Sequence, residues 1–196
     1  AKGPNVTPGY WRQPELTAAA FDAERFYRLG DAVRLIEPDD PARGLKFDGR
    51  IGEDFKLANG TWVSVGPLRS DLIAALAPLA QDVAIAGLDA DCVAALVIPD
   101  LHAAAKMLGS PTPPHYADLA RDVRMIAFVR ERLAAHALAN PASTRCVRRA
   151  SILNVAPSLD RGEITDKGSI NQRTVLENHA ARVAELTNAK TSSGGR

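Results

Sequence analysis

Apolar residues are spaced one way before residue 50 of this chain and another way after residue 66, with a short hairpin-like run between. In the first part they stand in short alternating runs between turn residues. Gly3-Pro4, Thr7-Pro8-Gly9 and Gln13-Pro14 punctuate the opening, with one short apolar helix predicted over Leu16–Phe21. Phe26-Tyr27-Arg28, Ala32-Val33-Arg34-Leu35-Ile36 and Leu45–Arg50 then read as strands, parted by Gly30-Asp31 and by the polar turn Glu37–Gly44. In the run that follows, Asn59-Gly60 lies between Phe55-Lys56-Leu57 and Thr61-Trp62-Val63. That is a hairpin signal, because both turn residues tolerate positive φ.

Beyond the hairpin the spacing lengthens to helical intervals. Pro67 starts a predicted helix with Leu68, Leu72, Ile73, Leu76 and Leu79 on one face. Asp82–Gly87 and Cys92–Ile98 are apolar enough to be interior strands. A short helix His102–Leu108, a loop Ser110–Pro114 and one long helix Tyr116–Ala139 come next. The long helix places Leu119, Val123, Ile126, Leu133 and Ala137 inward, and Arg121, Arg124, Glu131 and Arg132 largely on solvated faces. Thr144–Val155 is expected as a final strand. A loop Ala156–Ser169 precedes a last helix that buries Val175, Leu176, Ala180, Val183 and Leu186. The small polar tail Thr191–Arg196 is expected to be mobile.

Composition narrows the class without choosing a function. The 196 residues are 46% hydrophobic and 24% charged, as in soluble globular proteins. Twenty-four basic against 23 acidic residues leave a formal charge of +1, which gives no general drive toward nucleic acid or an anionic membrane. No apolar run approaches the roughly 18 residues of a membrane span, and no signal peptide is evident. Cys92 and Cys146 lack a CxxC partner and read as buried free thiols, which favours a reducing cytoplasm. The chain opens at Ala1 in what reads as continuing sequence, so a fragment is expected.

Taken singly, the polar candidates have ordinary readings. Asp31 after Gly30 is a turn aspartate, Lys167 is a loop lysine, and Trp62 fits either a ligand-facing hairpin or the core of a small sheet. Tyr10-Trp11 fits a strand edge or a stacking surface.

Together, Gly30-Asp31, then Gly49-Arg50 with Lys56 and Gly60 beyond it, then a late lysine-bearing loop followed by a helix, resemble the closing blocks of the adenylate-forming superfamily. The resemblance covers nearly the whole chain. Gly162-Glu163-Ile164-Thr165-Asp166-Lys167-Gly168, taken with Gly44–Lys56, is most similar to feruloyl-CoA synthases, the CoA ligases of hydroxycinnamic acids. It implies an α+β fold. Residues 1–49 would be the end of the β-rich large adenylation domain, and residues 50–187 a C-terminal lid made of a short hairpin and a small mixed sheet packed with helices. Residues 188–196 would be a flexible tail.

The resemblance also implies site roles. Asp31 would accept hydrogen bonds from the ribose hydroxyls of ATP, and Arg50 would contact the nucleotide. Gly52 would be the hinge, where the family usually carries Asp or Lys. Gly60 and Trp62 would line the CoA side, and Lys167 would reach the α-phosphate and the substrate carboxylate. A shifted register that matches Ser169-Ile170 with Arg173 to the family's Gly-Lys-Ile-x-Arg order remains open, and Leu29 stands where the family has Thr. ATP, Mg2+, CoA and a carboxylic acid would be the small-molecule partners, with no resident metal ligands. The phosphate loop and the acid pocket would lie in an N-terminal domain that this chain lacks, so the piece alone is expected to be inactive. Another aryl- or fatty-acid ligase, or a non-catalytic lid-like module, are the alternatives.

Overall fold

The computed structural model describes residues 1–141 and 144–188, so the expected tail lies, apart from Asn188, outside the described residues. The chain divides into two compact units, Ala1–Gly52 and Glu53–Arg196.

The first unit begins with α1 (Pro14–Ala20), whose proline sits in the first turn and which buries no residue. The strand expected at Phe26–Arg28 does not form. Instead Asp22 Oδ1 accepts from the Glu24 and Phe26 amides at 3.0 and 2.8 Å, and a single bridge joins Phe21 to Tyr27. A side-chain acceptor has taken backbone donors that a strand ladder would need. Tyr10 and Trp11 lie in no strand; the Tyr10 hydroxyl meets that of Tyr27 at 2.8 Å, and Trp11 is exposed. The regular part of this unit is the antiparallel pair β1 (Asp31–Leu35) and β2 (Leu45–Arg50). Its apolar pairs Val33–Phe47 and Leu35–Leu45 are exposed.

The second unit opens with the hairpin β3 (Phe55–Lys56) and β4 (Trp62–Val63). It leads into α2 (Val65–Ala75), whose first amide is bonded by Asp54 Oδ1 at 2.8 Å. The helix starts two residues before Pro67 and ends at Ala75, so Leu76 and Leu79 are buried from the turn after it rather than from its face. β5 (Ala80–Ala86), β6 (Ala94–Pro99) and β7 (Arg149–Ile152) form a mixed sheet in the order β5-β6-β7, antiparallel in the first pair and parallel in the second. A parallel pair needs a long crossover. Here it is α3 (Leu101–Leu108), α4 (Tyr116–Leu119) and α5 (Val123–Ala139). α6 (Gln172–Asn178) and α7 (Ala180–Asn188) close the described chain.

Both faces of this sheet are covered, which is why β6 is apolar at every position instead of alternating. Val83, Ile85, Ala95, Val97 and Ile152 pack with Leu68 and Leu72 of α2 and with Met125, Val129 and Leu133 of α5. Ala84, Leu96, Ile98 and Leu153 pack with Val175, Leu176, Val183 and Leu186 of α6 and α7.

Several expectations need correction. β5 is an edge strand, and the Gln172 side chain accepts its Ile85 amide at 2.9 Å. The long helix is broken because Asp122 turns its carboxylate onto the amides of Arg124 and Met125, capping α5 and detaching α4. The final strand is confined to Arg149–Ile152, and the last helix is divided at His179. Both cysteines are free, but each is only half-buried.

Candidate functional site

In the first unit the structure brings Asp31 and Arg50 together. They are register partners at the open end of the β1–β2 ribbon. Counting along β2 alone would put Arg50 on the side opposite Phe47, since side chains alternate. A bulge changes this. Between Ala32–Gly49 and Val33–Phe47 the pairing skips Asp48, so β2 carries one extra residue and Arg50 comes round to the side of Asp31. Gly49, buried and with φ +111°, supplies the backbone geometry for it. Asp48 itself lies 3.4 Å from the Arg34 guanidinium.

The Asp31 carboxylate is half-buried and Arg50 is exposed; neither side chain has a hydrogen bond or ion pair among the described residues. One end of the ribbon therefore presents a pure acceptor beside a pure, permanently charged donor. That combination suits a ligand carrying both hydroxyls and phosphate. Gly30, at φ +74°, makes the turn before Asp31, and its carbonyl accepts the Ile51 amide at 2.9 Å, closing the same end.

Gly52 is the last residue of the first unit and sits in a short 3-10 turn, Ile51–Glu53. Its φ lies outside the left-handed region, and a Cβ there would meet nothing within 4 Å. This conformation does not itself require glycine.

Gly60 and Trp62 share the β3–β4 hairpin of the second unit. Gly60 has φ +81° at the tip, and Asn59 Oδ1 accepts the Thr61 amide at 3.0 Å. Trp62 is 50% exposed with Lys56 Nζ 6.0 Å from its ring centroid, while its neighbour Val63 is buried. The reading of Trp62 as a core aromatic is thereby excluded. The hairpin is braced from behind by the β5–β6 turn: the Asp89 amide donates to the Lys56 carbonyl and the Ala58 amide to the Ala90 carbonyl, both at 3.0 Å.

Lys167 lies at the tip of a separate miniature hairpin. Asn171 N–H donates to the Glu163 carbonyl at 2.9 Å and Thr165 N–H to the Ser169 carbonyl at 2.8 Å, with a bridge between Ile164 and Ile170. Gly168, at φ +80°, returns its amide to the Thr165 carbonyl at 2.8 Å and leaves Lys167 exposed, with no recorded partner among the described residues.

At the base of that hairpin is a residue that sequence reasoning passed over. Glu163 is fully buried. Its Oε2 accepts from the Ser158 amide at 2.9 Å and from Arg161 Nε and Nη2 at 3.1 and 2.8 Å; its Oε1 accepts from Asn178 Nδ2 at 3.0 Å. His179 Nε2 stands 3.5 Å from Oε1. Burial pushes the carboxyl pKa up, but the bonds from Arg161, Asn178 and Ser158, with the Arg161 charge, outweigh it and hold the pKa below the ordinary glutamate value. Among the described residues, no group of three or more His, Cys, Asp or Glu is arranged to hold a metal ion.

No family model matches the chain. Nonribosomal peptide synthetase sidN of Epichloe festucae is 39% identical over 94 residues, 44% of this chain and 2% of that protein. The adenylation domain of a carboxylate reductase from Mycobacterium chelonae superposes with a TM-score of 0.66 at 27% identity, over 91% of this chain and 26% of that one. The A-PCP didomain of carboxylic acid reductase from Segniliparus rugosus, solved in complex with AMP, gives a TM-score of 0.69 at 24% identity, over 94% of this chain and 24% of that one. The chain thus spans about a quarter of each adenylation structure and a much smaller share of the synthetase. Its fold is that of the C-terminal part of an adenylation domain of the adenylate-forming superfamily.

Proposed function

We propose that this chain is the C-terminal part of an ATP-dependent, AMP-forming acid–CoA ligase, with a hydroxycinnamate such as ferulate as the acid. The observation that carries the reading is the pairing of Asp31 with Arg50 at the ribbon end that runs into the unit boundary at Gly52. In the reaction, a carboxylate oxygen attacks the α-phosphorus of Mg-ATP and pyrophosphate leaves. The CoA thiolate then attacks the acyl carbon of the adenylate and AMP leaves.

Asp31 accepts hydrogen bonds from the ribose hydroxyls, and Arg50 holds the nucleotide from the same side. Lys167 offsets negative charge as the adenylate forms. Gly52 is the pivot that reorients the second unit between the two steps, and Gly60 and Trp62 line the CoA side in the second. The uncovered pairs Val33–Phe47 and Leu35–Leu45 support a preceding adenylation domain that covers them. No described helix is long and apolar enough to cross a membrane; a cytoplasmic location is part of the same reading.

A second reading concerns the thiol. The similar proteins include a peptide synthetase and an A-PCP didomain, which favours a carrier-bound thiol as acceptor instead of CoA. The test is the full-length enzyme with ATP, CoA and ferulate, benzoate or a fatty acid, followed by pyrophosphate exchange and mass detection of the thioester. Feruloyl-CoA and AMP are expected. Exchange without any CoA thioester favours the carrier reading, a preference for benzoate or the fatty acid removes the hydroxycinnamate assignment, and no acid-dependent exchange overturns ligase function. Lys167→Ala is expected to lower exchange by about 100- to 1,000-fold, as loss of one preorganised cationic donor does, while thioester formation from preformed acyl-AMP is kept.

A further inference from the structure

The Lys167 hairpin has little apolar anchorage of its own. From Leu159 to Ser169 only Glu163 is buried, and the most deeply buried side chain at its base is thus a carboxylate, not a hydrocarbon. We infer that Glu163 is the positioning residue for Lys167, fixing the hairpin to the junction of α6 and α7 and so setting where the lysine amine is presented. The inference rests on the assignment of Lys167 to the adenylation step.

The geometry is that of a clamp. One carboxylate oxygen gathers the incoming strand, through Ser158 N–H and both reachable nitrogens of Arg161, and Arg161 Nη2 also donates to the Ala156 carbonyl at 2.8 Å. The other oxygen takes the Asn178 amide at the C-terminal end of α6 and faces His179 just beyond it. The backbone of Glu163 completes the lock: its N–H donates to the Ser158 carbonyl and its carbonyl accepts the Asn171 amide, both at 2.9 Å. Three residues separate Glu163 from Lys167, and the intervening ladder is the two-stranded stem.

A carboxylate is the group that fits. Every polar partner of its two oxygens supplied by Ser158, Arg161 and Asn178 is a donor, and only an ionised carboxylate accepts on both oxygens. Glutamine in its place would turn an NH2 group toward donors on one side or the other. Shape would be kept and one side of the clamp lost, leaving a buried donor without an acceptor.

The experiment is a double-mutant cycle in the full-length enzyme, with Glu163→Gln, Lys167→Ala and the pair, read by adenylation and by thioester formation from preformed acyl-AMP. Asn178→Ala, which removes only the α6 tether, stands in if Glu163→Gln does not fold. Glu163→Gln is expected to lower kcat for adenylation by about 10- to 100-fold, the scale of an ångström-level misplacement, with the thioester step unchanged. It should have no further effect once Lys167 is alanine. Additive losses in the double variant, equal losses in both half-reactions, or wild-type adenylation by Glu163→Gln overturn the inference while leaving the Lys167 assignment standing. If Lys167→Ala alone leaves adenylation intact, that assignment fails and the inference with it.

Discussion

Replacing Gly87 by alanine tests how firmly the Trp62 hairpin is held. Gly87 follows β5 where the chain turns toward β6, with φ +154°, and an added Cβ would lie 2.9 Å from Phe55 Cε2, 3.1 Å from Phe55 Cζ and 3.1 Å from the Cys92 carbonyl oxygen. Two costs arise. Holding a residue with a side chain in that backbone region costs about 1–3 kcal/mol. Forcing a methyl against a ring and a fixed carbonyl costs about 1–3 kcal/mol more. Together these reach about 2–6 kcal/mol against a domain stability of roughly 5–15 kcal/mol. At about 3 °C per kcal/mol for a unit of this size, the melting temperature should fall by roughly 6–18 °C.

The assay is thermal and urea unfolding of Gly87→Ala, Phe55→Leu and the double variant. The ring can retreat and the Cys92 carbonyl cannot. Phe55→Leu should therefore recover about 1 kcal/mol of the Gly87→Ala loss as a coupling term, and no more. A fall of less than about 2 °C for Gly87→Ala would refute the account, because it would show that the β5–β6 turn yields without cost. A strictly additive cycle would remove Phe55 from it.

Gly49→Ala should destabilise the first unit by about 1–3 kcal/mol through its φ of +111° and weaken ATP binding by the full-length enzyme; calorimetry showing unchanged affinity would separate the bulge from the nucleotide role. Trp62→Ala should change stability by less than about 1 kcal/mol, since half the side chain is already exposed, yet raise KM for CoA; a large loss of stability would contradict the exposed placement. Glu163 contributes stability that is present above the ordinary glutamate pKa and lost as pH falls through its depressed value, because the unfolded chain binds the proton first. Urea midpoints of Glu163→Gln should thus lie below wild type at neutral pH and converge with it in acid, and parallel curves would refute the linkage.

Elements buried on regular periods were legible in the sequence. α2, β6 and α3 lie close to where apolar spacing put them, because two-sided or one-sided burial writes itself into the residue pattern. Breaks were not legible. Asp122 is compatible with a helix interior by composition, and only its turn back onto Arg124 and Met125 makes it a cap; His179 likewise interrupts a run whose apolar spacing carries on through α7. Among the candidate site residues, Asp31, Arg50 and Lys167 were singled out by the resemblance of their glycine-flanked blocks to the adenylate-forming superfamily, since Asp31 and Lys167 alone read as ordinary turn and loop residues. Glu163 was missed. A glutamate in a polar loop reads as solvated, and its burial depends on Ser158, Arg161 and Asn178, which no local pattern ties to it.

The skipped residue at Asp48 makes the β1–β2 ribbon sensitive to parity rather than to length. Lengthening the turn Glu37–Gly44 would leave every pair below it unchanged, because the strands would still meet in the same order. Ironing out the bulge with Asp48 retained would pair Asp48 with Ala32 and Gly49 with Asp31, and send the Arg50 guanidinium to the far side of the ribbon. Deleting Asp48 would keep Arg50 opposite Asp31 on the same side, so what decides where the cation stands is whether the backbone at Gly49 holds the bulge.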